Sequence, residues 1–218
     1  MFELDSFIID SDERVGEGGF LVLRRLRMRN RRVDGSASSP YVFDGVARPY
    51  GQDAVIVAIY ARGAGRIEIL LRECLRPVLS IVRDPARAPM PEPHYGMFLT
   101  ELVAGIVEED DKGESGLRAR AAAEVLEEAG FVVDPSAITL LGPGMLASPG
   151  CLVEKYYFCA VEVDPKAQQH LEGDGSPMEE GSTTRWVTLD DALAACAAGR
   201  ITDLKTELGL RRLRDHLA

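Results

Sequence analysis

The sequence predicts an α+β fold in an α/β/α sandwich-like layout, preceded by a small antiparallel sheet. Three features carry that expectation. The first quarter of the chain is strand-rich. A nearly continuous apolar run, DAVIVAIYA at 53–61, reads as a buried strand. One segment, SGLRARAAAEVLEEA at 115–129, is strongly helical, with strands on either side of it and two helices closing the chain. At 218 residues the chain suits one large domain with a small extra sheet. We therefore expect residues 1–51 to form an N-terminal β-sheet region and residues 52–218 to form the main domain.

Each element follows from local pattern. Residues 1–51 contain LRRLRMRNRRVDG, whose basic run Arg24–Arg32 is expected on the solvent face of an antiparallel sheet. After the apolar strand, GAG at 63–65 turns the chain and RIEILLREC at 66–74 returns as a hairpin partner. Four prolines make 84–96 a loop, and MFLTELVAG at 97–105 reads as one strand ending at a glycine. The helix at 115–129 is rich in Ala, Leu, Glu and Arg, with Ser115 as its expected N-cap and Gly130 as its stop. Strands are expected near 137–145 and 153–163, then a polar acidic loop at 172–182 and a short strand at 183–189. DDALAACAAG and TDLKTELGLRRLRDHL close the chain as helices.

Composition narrows the function. Hydrophobic residues make up 46% of the chain, so a sizeable core can form. A net charge of -10 is poorly suited to gripping a polyphosphate by charge alone. If the protein binds phosphates, a divalent cation is the economical source of positive charge. Cys74, Cys151, Cys159 and Cys196 show no C-x-x-C spacing, so neither a zinc site nor a redox pair is indicated. The opening MFELDSFIID lacks the apolar core of a secretory signal, and no run reaches the ~18 apolar residues of a membrane span. A soluble, cytoplasmic protein is expected, with no nucleic-acid or membrane partner.

The informative segment is AEVLEEAGF, 123–131. At about 100° per residue, Glu124, Glu127 and Glu128 share one helical face, opposite Ala122, Val125, Leu126 and Ala129, which are expected in the core. Three like charges at this spacing repel modestly and are ordinarily a solvated face. Oxygen ligands at this spacing also suit a hard dication such as magnesium.

The surrounding sequence favours the second reading. Gly105 to Phe131, GIVEEDDKGESGLRARAAAEVLEEAGF, resembles the Nudix box, G-x5-E-x7-R-E-U-x-E-E-x-G-U, where U is apolar. The second half matches closely at Glu124, Glu127, Glu128, Gly130 and Phe131. The first half departs: eight residues separate Gly105 from Glu114, Glu114 is one residue further from Glu124 than the pattern has it, and Ala123 replaces the box arginine. Arg120, one turn before Glu124, is a candidate substitute for that arginine. ELVAG at 101–105, LRP at 75–77 and SPGCLVE at 148–154 resemble segments of the ADP-ribose and nucleoside diphosphate sugar pyrophosphatase branch.

The resemblance implies a Nudix fold, an α/β/α sandwich with a mixed sheet, and a hydrolase acting on phosphorus-containing acid anhydrides. The substrate it implies is ADP-ribose or a nucleoside diphosphate sugar, the cofactor Mg2+ with Mn2+ able to substitute, and the assembly a homodimer formed through residues 1–51. It implies metal contacts from the Ala104 carbonyl, Glu124, Glu128 and Glu114. Glu127 becomes a further ligand or supporting group. Glu179 and Glu180 become candidates for general base, with Glu172 and Asp174 in reserve, and Arg48 and Arg76 become substrate arginines. The rival expectations are a Nudix-fold regulator that binds such a nucleotide without cutting it, and an interaction module whose acidic helix is only solvated.

Overall fold

The computed structural model describes residues 4–15, 19–48, 50–63, 65–170 and 177–218. It divides into two compact units, Met1–Asp53 with Met145–Lys155, and Ala54–Gly144 with Tyr156–Ala218.

The first unit contains an antiparallel sheet of β1 (Leu4–Val15), β2 (Val22–Arg32) and β3 (Tyr41–Ala47), in that spatial order. The basic run lies along β2 and meets acidic partners across the strands. Arg25 pairs with Asp44 and Arg29 with Asp10, each at 2.7 Å, and Arg24 pairs with Asp12. These pairs are solvent-accessible and screened by water, so they set register more than stability. The short strand β9 (Met145–Leu146) belongs to this unit. Val46 N–H donates to the Cys151 carbonyl at 2.7 Å, tying the SPG segment to β3.

The second unit is built around β4 (Ala54–Gly63), whose first eight residues are buried. A strand apolar at every position has both faces covered. Val55, Val57 and Ile59 pack with Ala121, Val125, Ala129 and Phe131 on one side. Ile56, Ala58 and Tyr60 pack with Leu189, Leu193, Leu210 and Leu213 on the other. The period of two along β4 thus feeds two cores. One lies under α2 (Gly113–Ala129), the other under α3 (Leu189–Ala197) and α4 (Leu204–Leu217).

The sheet runs β11 (Thr183–Thr188), β5 (Arg66–Leu75), β4, β10 (Lys155–Glu162), β8 (Thr139–Leu140). β10 is parallel to β4, while β5 is antiparallel to it, so the sheet is mixed. The expected single strand at 97–105 is instead two. β6 (Phe98–Glu101) pairs with the far end of β5, and β7 (Val103–Ile106) with the start of β4. The cause is the splay of β4 and β5 away from their hairpin: one segment wedges between them and changes partner at Leu102. The buried Leu102 amide donates to Thr206 Oγ1 of α4 at 2.8 Å. Thr206 in turn lies at the Asp203 cap of α4, where Asp203 Oδ2 accepts its backbone N–H at 2.9 Å.

Other local readings are corrected. Helix α2 starts at Gly113, not after Ser115; its first residue follows Lys112, which supplies no side-chain cap. Gly113 adopts φ 67°, and a Cβ on Gly116 would stand 2.4 Å from the Asp111 carbonyl carbon, so glycines rather than a serine cap admit the chain. Gly130 ends α2 in the left-handed conformation, as expected. A short helix, α1 (Pro77–Ile81), precedes the proline-rich loop, and the expected strand near 137–145 is a 3-10 turn at Pro135–Ala137 followed by β8 and β9.

Candidate functional site on helix α2

Helix α2 crosses the sheet beside β7, and its acidic face meets the strand rather than solvent. Glu124 is buried at 8% exposure, while Leu126, expected in the core, is 44% exposed. The helix is therefore rotated so that Ala121, Ala122 and Val125 enter the core and the carboxylates line its margin. Gly105 makes the approach possible. A Cβ built on Gly105 would lie 1.8 Å from the Cδ and Oε1 of Glu124.

Glu128 is held on both oxygens. Its Oε1 accepts from Arg72 at 2.7 Å, and its Oε2 accepts from the Ala104 N–H at 3.2 Å. The N–H and C=O of one strand residue point to the same edge, so the Ala104 carbonyl shares the edge that faces Glu128. Arg72, on β5, is 7% exposed and bridges onward to Glu179 Oε1 at 2.9 Å. Glu179 closes a 3-10 turn at Pro177–Glu179. Burial disfavours the Arg72 charge, but Glu128, Cys74 and Glu179 more than offset that and keep it protonated.

Glu124 is in a different electrical state. Its closest cationic partner is Arg120, at 3.9 Å. Arg120 is committed elsewhere, to Asp111 and Glu108 at 2.9 Å each. Burial, followed by the neighbouring charges of Glu128 and Glu127, pushes the Glu124 carboxyl up to about 8. Burial also raises Glu128, against the pull of Arg72. The position thus has hard oxygen donors and a deficit of positive charge, which is the chemistry a hard dication satisfies. Among the described residues no group of three His, Cys, Asp or Glu side chains is gathered as a coordinating set. Arg72 stands between two of the carboxylates, and Glu127 is exposed.

A second ionic cluster lies behind the strand break. Glu101 is 1% exposed and accepts from Arg76 Nε and Nη2 at 2.6 and 2.9 Å. Lys205 of α4 also reaches Glu101, and pairs with Asp203 at 3.0 Å. Burial works against the Glu101 charge, yet Arg76 and Lys205 hold its carboxyl below the usual range.

The sequence-expected residues divide accordingly. Glu124, Glu128, Ala104 and Glu179 come together, with Glu127 beside them. Arg76 faces Glu101. Glu114 does not join: it is exposed in the first turn of α2, paired with Arg118 at 3.4 Å. Ten helical residues before Glu124 is about 15 Å along the axis, too far for one site. Glu180 is exposed on the same turn as Glu179. Glu172 and Asp174 lie outside the described residues. Arg48 belongs to the first unit, where it pairs with Glu154 and its Nε and Nη1 are buried without partners. Arg72 was not anticipated. Its signal was present: an arginine inside ILLREC, directly after three apolar residues of a strand.

No family model matches this sequence, and neither does any curated protein. Solved structures do. One described as an ADP compounds hydrolase aligns over 99% of this chain and 96% of its own, at 12% identity and a TM-score of 0.68. The Nudix domain of Shewanella oneidensis NrtR, complexed with ADP ribose, aligns over 77% of this chain and 89% of its own, at 15% identity and TM-score 0.49. A C. elegans Ap4A hydrolase aligns over 76% and 96%, at 19% identity and TM-score 0.42. The first of these matches over nearly the whole length of both chains. Taken with the mixed sheet between α2 and the α3–α4 layer, it identifies the architecture of this chain as the Nudix fold.

Proposed function

We propose that the protein is a metal-dependent Nudix pyrophosphohydrolase that cleaves the diphosphate of ADP-ribose or a nucleoside diphosphate sugar, giving a nucleoside monophosphate and a sugar phosphate. One observation carries this reading. Two carboxylates one helical turn apart, Glu124 buried and Glu128 partly buried, lie against the Ala104–Gly105 edge, and the nearest cation to Glu124, Arg120, stands 3.9 Å away. A solvated acidic face has no reason to be buried or to need a glycine opposite it. The full-length likeness to a protein described as an ADP compounds hydrolase supports the same fold for the same class of chemistry.

Glu124, Glu128 and the Ala104 carbonyl are the groups that would hold Mg2+ or Mn2+, with Glu127 as a further ligand or supporting group. When bound, the cation would neutralise diphosphate oxygens and open the phosphorus to attack by water. Glu179 would take the proton of that water, with Glu180 as the alternative on the same turn. Glu101 holds Nε and Nη2 of Arg76, while Nη1, which donates to the Leu75 carbonyl at 3.3 Å, has a second hydrogen that would serve a phosphate oxygen. Ile9, Tyr41 and Phe43 share one face of the β1–β3 sheet by register and are exposed, which supports a homodimer through that sheet. The four cysteines are all free thiols, consistent with the reducing cytoplasm.

The test is a panel of nucleoside diphosphate conjugates incubated with Mg2+ or Mn2+, with monophosphate products resolved by chromatography. Turnover of at least one conjugate, lost in Glu128→Gln, is the expected result. A second reading, a nucleotide sensor that does not cut, is favoured by the Arg72 bridge, in which Glu128 and Glu179 are both already paired with one guanidinium. It predicts calorimetric binding of a conjugate with no product on any member of the panel.

A further inference from the structure

Both groups on either side of Arg72 have a proposed part in the chemistry: Glu128 as ligand, Glu179 as base. They come from distant places in the chain, a helix and a turn after β10, and one guanidinium joins them. Its Nη1 serves Glu128 at 2.7 Å and its Nη2 serves Glu179 at 2.9 Å, so its two terminal nitrogens are divided between the carboxylates rather than spent on one. Nη1 also lies 3.6 Å from Cys74 Sγ, a neutral buried thiol on the same face of β5. The arginine is rooted in the sheet between β11 and β6, where Thr184 and Glu101 are its cross-strand partners.

The other cations nearby are spoken for. Arg76 is held by Glu101, and Arg120 by Asp111 and Glu108. The two helix carboxylates are therefore unequal. Glu128 has a fixed positive partner and a backbone donor, while Glu124, one turn away, has neither at hydrogen-bond distance.

Building on the proposed hydrolase site, we propose that Arg72 is its resident cation. It stands between Glu128 Oε1 and Glu179, where a second divalent ion would otherwise be needed, so the free protein takes up one ion, at Glu124 with the Ala104 carbonyl and the Glu128 oxygen that Arg72 does not hold. It also positions the base-bearing turn against α2. Arg72 is thus a positioning residue, and a guanidinium suits the task because its planar fork can face two carboxylates at once. A second divalent ion there would need both carboxylates released from the guanidinium, which removing the arginine would do. Breaking such a buried pair leaves uncompensated charge that recruits another cation.

The experiment counts Mn2+ bound to the nucleotide-free protein, by electron paramagnetic resonance of the unbound ion. Wild type is expected to bind one Mn2+ per chain. Arg72→Met, checked for folding by circular dichroism, is expected to bind two, and its kcat to fall at least tenfold. Arg72→Lys retains the charge and is expected to stay at one ion while recovering part of kcat. Two ions on the wild type overturn this inference and leave the hydrolase reading intact. So does one ion on both wild type and folded Arg72→Met. No ion on the wild type, with no turnover of any conjugate, overturns both. Should Arg72→Met fail to fold, the wild-type count and the Lys variant still decide, since two ions on Arg72→Lys also contradict the inference.

Discussion

The carboxyl group of Glu124 occupies the space in which a side chain at position 105 would begin: a Cβ on Gly105 would meet its Cδ at 1.8 Å. The glycine is required for room, since its φ is not among the positive values found in this chain. Gly105→Ala is expected to displace Glu124 from β7. The cost is ~1–3 kcal/mol of stability, in the range of overpacked cores. Mn2+ affinity should fall at least tenfold. Urea unfolding and a metal titration measure the two effects, and a variant with wild-type values for both would show that Glu124 does not need this position.

Glu124 also makes the protein sensitive to base. Its carboxyl is raised from 4.5 to about 8 in the folded protein. A group whose proton is held more tightly when folded stabilises the fold below its unfolded value and loses that contribution as pH rises through the folded one. Metal-free protein should therefore lose stability between about pH 4.5 and about pH 8, by an amount on the order of a few kcal/mol. Glu124→Gln should remove most of that slope. Uptake of a divalent ion must displace the proton, so affinity should climb up to about pH 8 and then level off. Melting curves at pH 6 and pH 9, with and without Mn2+, test both halves.

Glu101 offers a contrast between buried and exposed charge. It is the shared acceptor of Arg76 and Lys205, and it is almost wholly buried. Glu101→Gln leaves two cations facing a neutral amide and is expected to cost about 3–5 kcal/mol. Arg25→Ala, which breaks the solvent-screened pair with Asp44, is expected to cost far less. Chemical denaturation of the two variants side by side checks the difference.

The turn at 177–179 allows the two candidate bases to be separated. Glu179 is tied to Arg72 and so to Glu128, whereas Glu180 is exposed. Glu179→Gln is expected to lower kcat by ~10²–10⁴-fold with little change in KM, and Glu180→Gln by less than about tenfold. Steady-state kinetics on the best conjugate measures both. The reverse order would move the base to Glu180.

The parts of this fold that could be read from sequence are those set by local period. The first eight residues of β4 form one apolar run, so both faces of that stretch need cover and its burial follows directly. Glu124 and Glu128 share a face because they are one turn apart. What could not be read depends on how distant segments meet. Leu126 is as apolar as Val125, and only the rotation of α2 against the sheet leaves it outside. The strand at 97–105 looks continuous, and only the divergence of β4 and β5 breaks it at Leu102. Glu114 matches a motif by letter, yet α2 runs straight from Gly113 and carries it away from Glu124. Arg72 was hidden because its two partners lie 56 and 107 residues further on.

Consider, finally, the amide of Leu102 resting on the hydroxyl of Thr206, beside Lys205 and its hold on Glu101. The segment that presents Ala104 and Gly105 is braced by residues more than a hundred positions downstream. During synthesis, everything up to α3 can emerge and collapse while that brace is still missing. Assembly of the Ala104–Gly105 edge thus waits for α4, and a nascent chain carries an unlocked strand until that helix arrives to close it.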